Sequence, residues 1–258
     1  MPRLKLPDVE IEYTVDGPAD APLLVLSNSL GTTMAMWDPQ MAALTASLRV
    51  LRYDARGHGQ SSAPPGPYTI AQMGADVQAL LQGLGVARAH FCGLSMGGMV
   101  GLWLAVHAPA AVDRLVVSNT AALIGPASGW NARIERVRAG GMAAIVDAVL
   151  ARWFTASFVA SGSPFIALAR GMLLGTSADG YCAACAAVRD MDQRDDIARI
   201  VAPTLVIAGT HDVVTTPADH RYLADRIAGA RYVELAAPHI SNLEQPAAYT
   251  RTLVDFLT

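Results

Sequence analysis

The chain has 258 residues, of which 52% are hydrophobic and only 16% charged, with 19 Lys+Arg against 22 Asp+Glu. So apolar a composition excludes disorder, and basic residues so few and scattered exclude a nucleic-acid footprint. The length suits one large α/β domain carrying an insertion, and three cysteines make no disulfide framework, which fits a reducing cytoplasm.

In chain order, Met1 to Glu12 is mixed and charged, unlike a secretory signal. Arg3–Leu6 and Val9–Val15 read as an opening hairpin. Short apolar runs at Leu23–Ser27, Val50–Tyr53, His90–Cys92, Leu115–Ser118, Leu205–Ala208 and Tyr232–Leu235 are predicted as core strands buried on both faces. Between them, Met36–Ala46, Ile70–Leu84, Met96–His107, Pro217–Ile227 and Glu244–Leu257 have helical length and spacing. The alternation predicts a mostly parallel eight-stranded sheet with helices on both faces, an α/β fold. From Ala122 to Arg199 it stops, leaving helical patterns without a convincing strand. We read 122–199 as a helical cap inserted into a core of 1–121 and 200–258.

No Asp, Glu, Lys or Arg occurs from Ala89 to Val112, long enough to cross a bilayer. His90, Ser95, His107, Pro109 and four glycines make it poor membrane-helix chemistry, and a buried strand and helix are expected instead. Cys182 and Cys185 form a CxxC without a second ligand pair. Helix packing at i, i+3 is the plainer reading, and no metal is assigned.

Gly93-Leu94-Ser95-Met96-Gly97 follows an apolar strand and precedes an apolar helix, the context in which Gly-x-Ser-x-Gly forms a nucleophile elbow. A bystander serine in a Gly-rich turn is the alternative. A serine hydroxyl needs a base held by a third group, and in this arrangement the partners follow in the order Ser, acid, His. Of six histidines, His58 precedes Ser95, His90 lies in a strand, His107 ends a helix, His220 is inside one, and His211 adjoins the acid. His239, in a loop just past the last strand, is the expected base. Gly209-Thr210-His211-Asp212 directly follows Leu205–Ala208, which makes Asp212 the expected acid; Asp219, inside the next helix, is a solvated or capping residue. The oxyanion donors expected by position are the backbone N–H groups of Met96 and Leu30.

These segments resemble the α/β-hydrolase superfamily over essentially the whole chain. The similarity is greatest to 3-oxoadipate enol-lactonases, through Ser27–Thr33 with Met36-Trp37, Arg52–Ser61, the Ser95 elbow and Trp130–Ile134. Asn28-Ser29 stands where many relatives have His-Gly. The resemblance implies a lactone substrate bearing a carboxylate, an acyl-enzyme on Ser95, and no metal or organic cofactor. A cap arginine would hold the carboxylate; Arg133 is favoured over Arg136, Arg138, Arg152, Arg170 and Arg189 because it lies in the resembling segment. Trp130 and Trp153 would line the pocket or simply pack. Carboxylesterases, perhydrolases and C–C hydrolases share the triad, and a ligand receptor is the non-enzyme alternative. Apolar residues beyond the needs of core and pocket would suit self-association.

Overall fold

The computed structural model describes Met1–Thr258. Eight strands, β1 (Arg3–Lys5), β2 (Glu10–Asp16), β3 (Leu23–Ser27), β4 (Arg49–Tyr53), β5 (Ala89–Leu94), β6 (Val112–Ser118), β7 (Thr204–Gly209) and β8 (Arg231–Leu235), form one sheet in the order β1-β2-β4-β3-β5-β6-β7-β8. The pairings of β2 with β1 and with β4 are antiparallel; every pairing from β4 to β8 is parallel.

The helices are α1 (Asp38–Leu44), α2 (Ile70–Gly83), α3 (Met96–His107), α4 (Ala127–Gly140), α5 (Val146–Trp153), α6 (Ala156–Ala160), α7 (Pro164–Gly175), α8 (Ala178–Asp190), α9 (Pro217–Arg226), α10 (Ser241–Glu244) and α11 (Pro246–Leu257). A strand between parallel neighbours is covered on both faces, so it needs a continuous apolar run. Strands β3, β5 and β7 are buried at every residue. The uncharged stretch from Ala89 to Val112 is β5, the Ser95 turn, and a nearly all-round buried α3. No helix is long and apolar enough to cross a membrane.

Two sequence expectations need correction. Tyr232–Leu235 is not buried on both faces: β8 is the sheet edge, paired only with β7, and Arg231 and Glu234 are exposed. The helices predicted at Met36–Ala46 and Glu244–Leu257 each divide, the first into a 3-10 turn (Met34–Trp37) and α1, the second into α10 and α11. Pro39 and Pro246 lack the N–H that would continue a helix, so each lies in the first turn of a new one.

From β3 the chain passes to β4 on one side, whereas from β5 it passes to β6 on the other. The carboxyl ends of β3 and β5 therefore flank a crevice, the place where doubly wound sheets bind ligands. Register brings the neighbouring strand ends level, with Ser27 opposite Gly93, Leu94 opposite Ser118, and Ser118 opposite Ile207.

Helices α4 to α8 lie between β6 and β7, and the one strand-like pairing near them is the bridge Leu123–Asp192. One apolar cluster of 75 buried residues runs from the sheet into these helices through Trp130, Val149, Trp153 and Val188, so they share the core. Cys182 and Cys185 are buried on α8, consistent with packing at i, i+3.

Candidate active site

Ser95 caps α3 with φ 57 and ψ -117, a left-handed conformation that costs a serine about 1–3 kcal/mol. Its surroundings over-determine it. The Ser95 N–H donates to Ser118 O at 2.9 Å, and its carbonyl accepts from the Thr120 hydroxyl at 2.7 Å. A Cβ at Gly93 would meet the Gly97 carbonyl, and one at Gly97 would meet the Ser27 carbonyl, so strand and helix approach this closely only with glycine at both places.

Asp212 lies just past β7 and His239 just past β8, and the two loops are joined by backbone bonds from Thr210 N–H to Leu235 O and from His211 N–H to Ala237 O. The Asp212 carboxylate accepts from Val214 and Thr215 N–H, the Thr215 hydroxyl at 2.8 Å, Asn119 Nδ2 at 3.0 Å and His239 Nδ1 at 2.9 Å. Burial pushes its pKa up, but the charge His239 carries once protonated and its hydrogen bond, with the bonds from Asn119 and Thr215, win and hold it well below the usual carboxylate range. An ionised carboxylate only accepts, so His239 carries its proton on Nδ1. Nε2 is then free to accept the Ser95 hydroxyl proton across 2.9 Å. All three groups are buried. A serine so placed can attack a carbonyl while losing its proton to the imidazole.

The other histidines take positions that sequence order had left them. His58 is buried; its Nδ1–H donates to Arg56 O, its Nε2 accepts the Gly31 N–H at 2.9 Å, and burial lowers its pKa to about 4. His220 does the same one layer over, accepting the Thr120 N–H at 3.0 Å and donating to Thr216 O. His90 lies 3.2 Å from Asp113, and His107 and His211 are exposed. Asp219 caps α9 through Thr216, as expected.

Three supporting residues escaped the sequence reading. Asn119 bridges Asp212 and the Pro238 carbonyl through Nδ2, both at 3.0 Å, and accepts from Ser241 through Oδ1. Thr215 and His220 complete the surround. The available signal is Ser118-Asn119-Thr120, three consecutive polar residues at the carboxyl end of a core strand.

The cavity at Ser95 and His239 is lined by Leu30, Met99, Ile124, Val149, Val188 and Val214, by Trp130, Trp153 and Tyr181, and by Ser29, Arg133 and Arg152. No protein group accepts the backbone N–H of Leu30 or Met96; the latter opens α3, where helix N–H groups are free and the dipole favours negative charge. Trp130 donates to Ile124 O, and the Arg133 guanidinium lies 4.9 Å from its ring centre. Trp153 is buried, and its carbonyl accepts the Ile240 N–H at 3.2 Å, tying α5 to the loop of His239.

The arginines between β6 and β7 separate by location. Arg133 and Arg152 face the cavity. Arg138 and Arg189 line a larger groove of about 630 Å³ against the Pro64–Pro67 loop, which holds no Ser–His pair. Arg170 is paired with Asp147 at 2.6 Å. Arg136 lines a recess beside the cavity.

The α/β hydrolase fold family model matches residues 22–140. The chain is 44% identical to 3-oxoadipate enol-lactonase 2 of Acinetobacter baylyi, over 95% of this chain and 92% of the relative. It is 41% identical to 3-oxoadipate enol-lactonase 1 of the same organism, over 96% and 92%. The crystal structure of the enol-lactonase from Burkholderia xenovorans LB400 superposes with a TM-score of 0.98 at 49% identity, covering 99% of both chains. Sequence identity of this extent along nearly the full length, with the sheet order and the elbow described above, means that the chain belongs to the α/β-hydrolase family.

Proposed function

We propose that this protein hydrolyses 3-oxoadipate enol-lactone to 3-oxoadipate through an acyl-enzyme on Ser95. The observation that carries the reading is the unbroken hydrogen-bonded line from Asp212 through His239 to Ser95, ending in a cavity faced by Arg133 and Arg152. Full-length similarity to two enol-lactonases supports the choice of substrate.

Ser95 Oγ attacks the lactone carbonyl as His239 Nε2 takes its proton and Asp212 stabilises the imidazolium. Negative charge gathers on the carbonyl oxygen, held by the N–H groups of Leu30 and Met96; each such donor contributes about 3 kcal/mol to catalysis. The ring C–O bond then breaks. Its leaving group is an enolate, more stable than an alkoxide, and it stays tethered to the acyl chain because the ester is cyclic. His239 returns its proton to the enolate, and tautomerisation gives the ketone. Water, with its proton taken by His239, releases the acid and restores Ser95.

The side-arm carboxylate pairs with Arg133, which Trp130 steadies from its ring face, and Arg152 approaches from α5. Trp130 and Trp153 wall the site. Residues 122–199 act as the cap, and substrate choice lies there. The cytoplasm suits the three free, buried cysteines.

Purified protein mixed with enol-lactone is expected to abolish the enol-lactone absorbance, with kcat/KM at least about 10²-fold above that for a neutral aryl ester. Rapid aryl ester turnover without lactone turnover would reject the substrate and favour a general carboxylesterase.

A further inference from the structure

The cavity at Ser95 offers about 20 Å³ to water, room for roughly one molecule. A lactone with a carboxylate arm does not fit while the cavity walls stay where they are. Behind one wall lies a second recess of about 230 Å³, lined by Arg136 together with Gly129 and Ala132. Arg133, Val149 and Arg152 line both spaces, so these three side chains form the partition between them.

The charges around this recess are unbalanced. Neighbouring arginines have carboxylate partners, Arg170 with Asp147 and Arg189 with Asp190, whereas Arg133, Arg136 and Arg152 enter no ion pair. Partial burial, and then the nearby charge of Arg133, press the Arg152 pKa down, against a smaller opposing pull from the Asp212 carboxylate. Unpaired guanidiniums around one hollow repel one another until an anion joins them.

We propose that the recess is a carboxylate-binding port for the catalytic cavity, and that its ligands are short aliphatic mono- and dicarboxylates. Arg136 receives the carboxylate arm of the incoming substrate, and the partition of Arg133 and Arg152 passes it inward. This rests on the lactone-opening reading. In that reaction water adds across the acyl C–O bond: the acyl carbon gains the water oxygen, the ring oxygen becomes the ketone oxygen, and the new acid releases a proton. One negative charge becomes two, so the port attracts the product more strongly than the substrate and draws it outward.

The test is calorimetric titration of adipate into the wild-type protein and Arg136→Gln, at low and high salt. Arg136 is exposed on α4, so the variant keeps the fold. Adipate affinity is expected to fall about five-fold in the variant at low salt, with a smaller difference at high salt and for butyrate. Equal adipate affinity in the two proteins at low salt overturns the port. In kinetics, Arg136→Gln is expected to lower kcat/KM for the enol-lactone about five-fold more than for a neutral aryl ester, and equal losses on both would also overturn it. Should the wild-type protein leave the enol-lactone untouched, the substrate reading fails, and the adipate titration alone decides the port.

Discussion

Ser95 holds its strained backbone because groups from β6 close on it: Ser118 O accepts its N–H and the Thr120 hydroxyl donates to its carbonyl. Asn119, between those two residues, restrains the other end of the site. Its Nδ2 bonds Asp212, a charge-assisted bond of about 1.5–3 kcal/mol. Asn119→Ala is expected to lower kcat by roughly ten-fold to a hundred-fold while KM changes little, since the bond orients the acid and does not touch substrate. Unaltered kcat would remove Asn119 from the positioning of Asp212. His58 offers a stability measurement. Burial lowers its pKa from 6.5 to about 4, so between these values the unfolded chain binds a proton that the folded protein refuses. Stability should therefore fall as pH drops from about 6.5 towards about 4, by roughly 3 kcal/mol for this one group. In denaturant titrations across that range, His58→Gln is expected to flatten the slope; an unchanged slope would assign the acid loss to other groups.

At the scale of elements, the elbow depends on how closely β3, β5 and α3 approach. Replacing a helical glycine by alanine ordinarily stabilises by about 1 kcal/mol through propensity. At Gly97 the new Cβ would instead meet the carbonyl of Ser27, a residue paired with Gly93 of β5. Overpacking against backbone costs typically about 1–3 kcal/mol, so the clash outweighs the propensity. Gly97→Ala should lower stability by urea titration; a gain would mean that β3 yields easily. What could be read in the chain divides along the same lines. Ser95 and Asp212 are legible because each follows a strand buried throughout, which announces itself as an apolar run, and His239 because it is the one histidine in a loop past the last strand. Asn119 and His220 were not, because their partners lie 93 and 100 residues away and depend on strand register. Arg152 escaped preference over other arginines for a similar reason: only the tertiary placement of α4 and α5 around one cavity puts it beside Arg133. The half-exposed β8 was misread because an edge strand and a central strand look alike over five residues.

For the molecule as a whole, the apolar composition is spent on a sheet covered on both faces and on a core continuous with α4, α5 and α8. That continuity has a consequence for unfolding. Trp37 and Trp103 report on the sheet-covering part, whereas Trp130 and Trp153 report on the helices between β6 and β7. A Trp130→Phe, Trp153→Phe variant isolates the first pair, and a Trp37→Phe, Trp103→Phe variant the second. Relative to circular dichroism of the same variant, each fluorescence transition is expected to show the same urea midpoint. Separate midpoints would make residues 122–199 an independently melting cap.

The most direct measurement is the decay of enol-lactone absorbance with the wild-type protein and with Ser95→Ala, under identical conditions. The proposed acyl-enzyme requires the wild-type protein to consume the lactone and the alanine variant to lose on the order of 10⁴-fold or more in kcat. Wild-type rates in Ser95→Ala would contradict it, because no acyl-enzyme could then lie on the path.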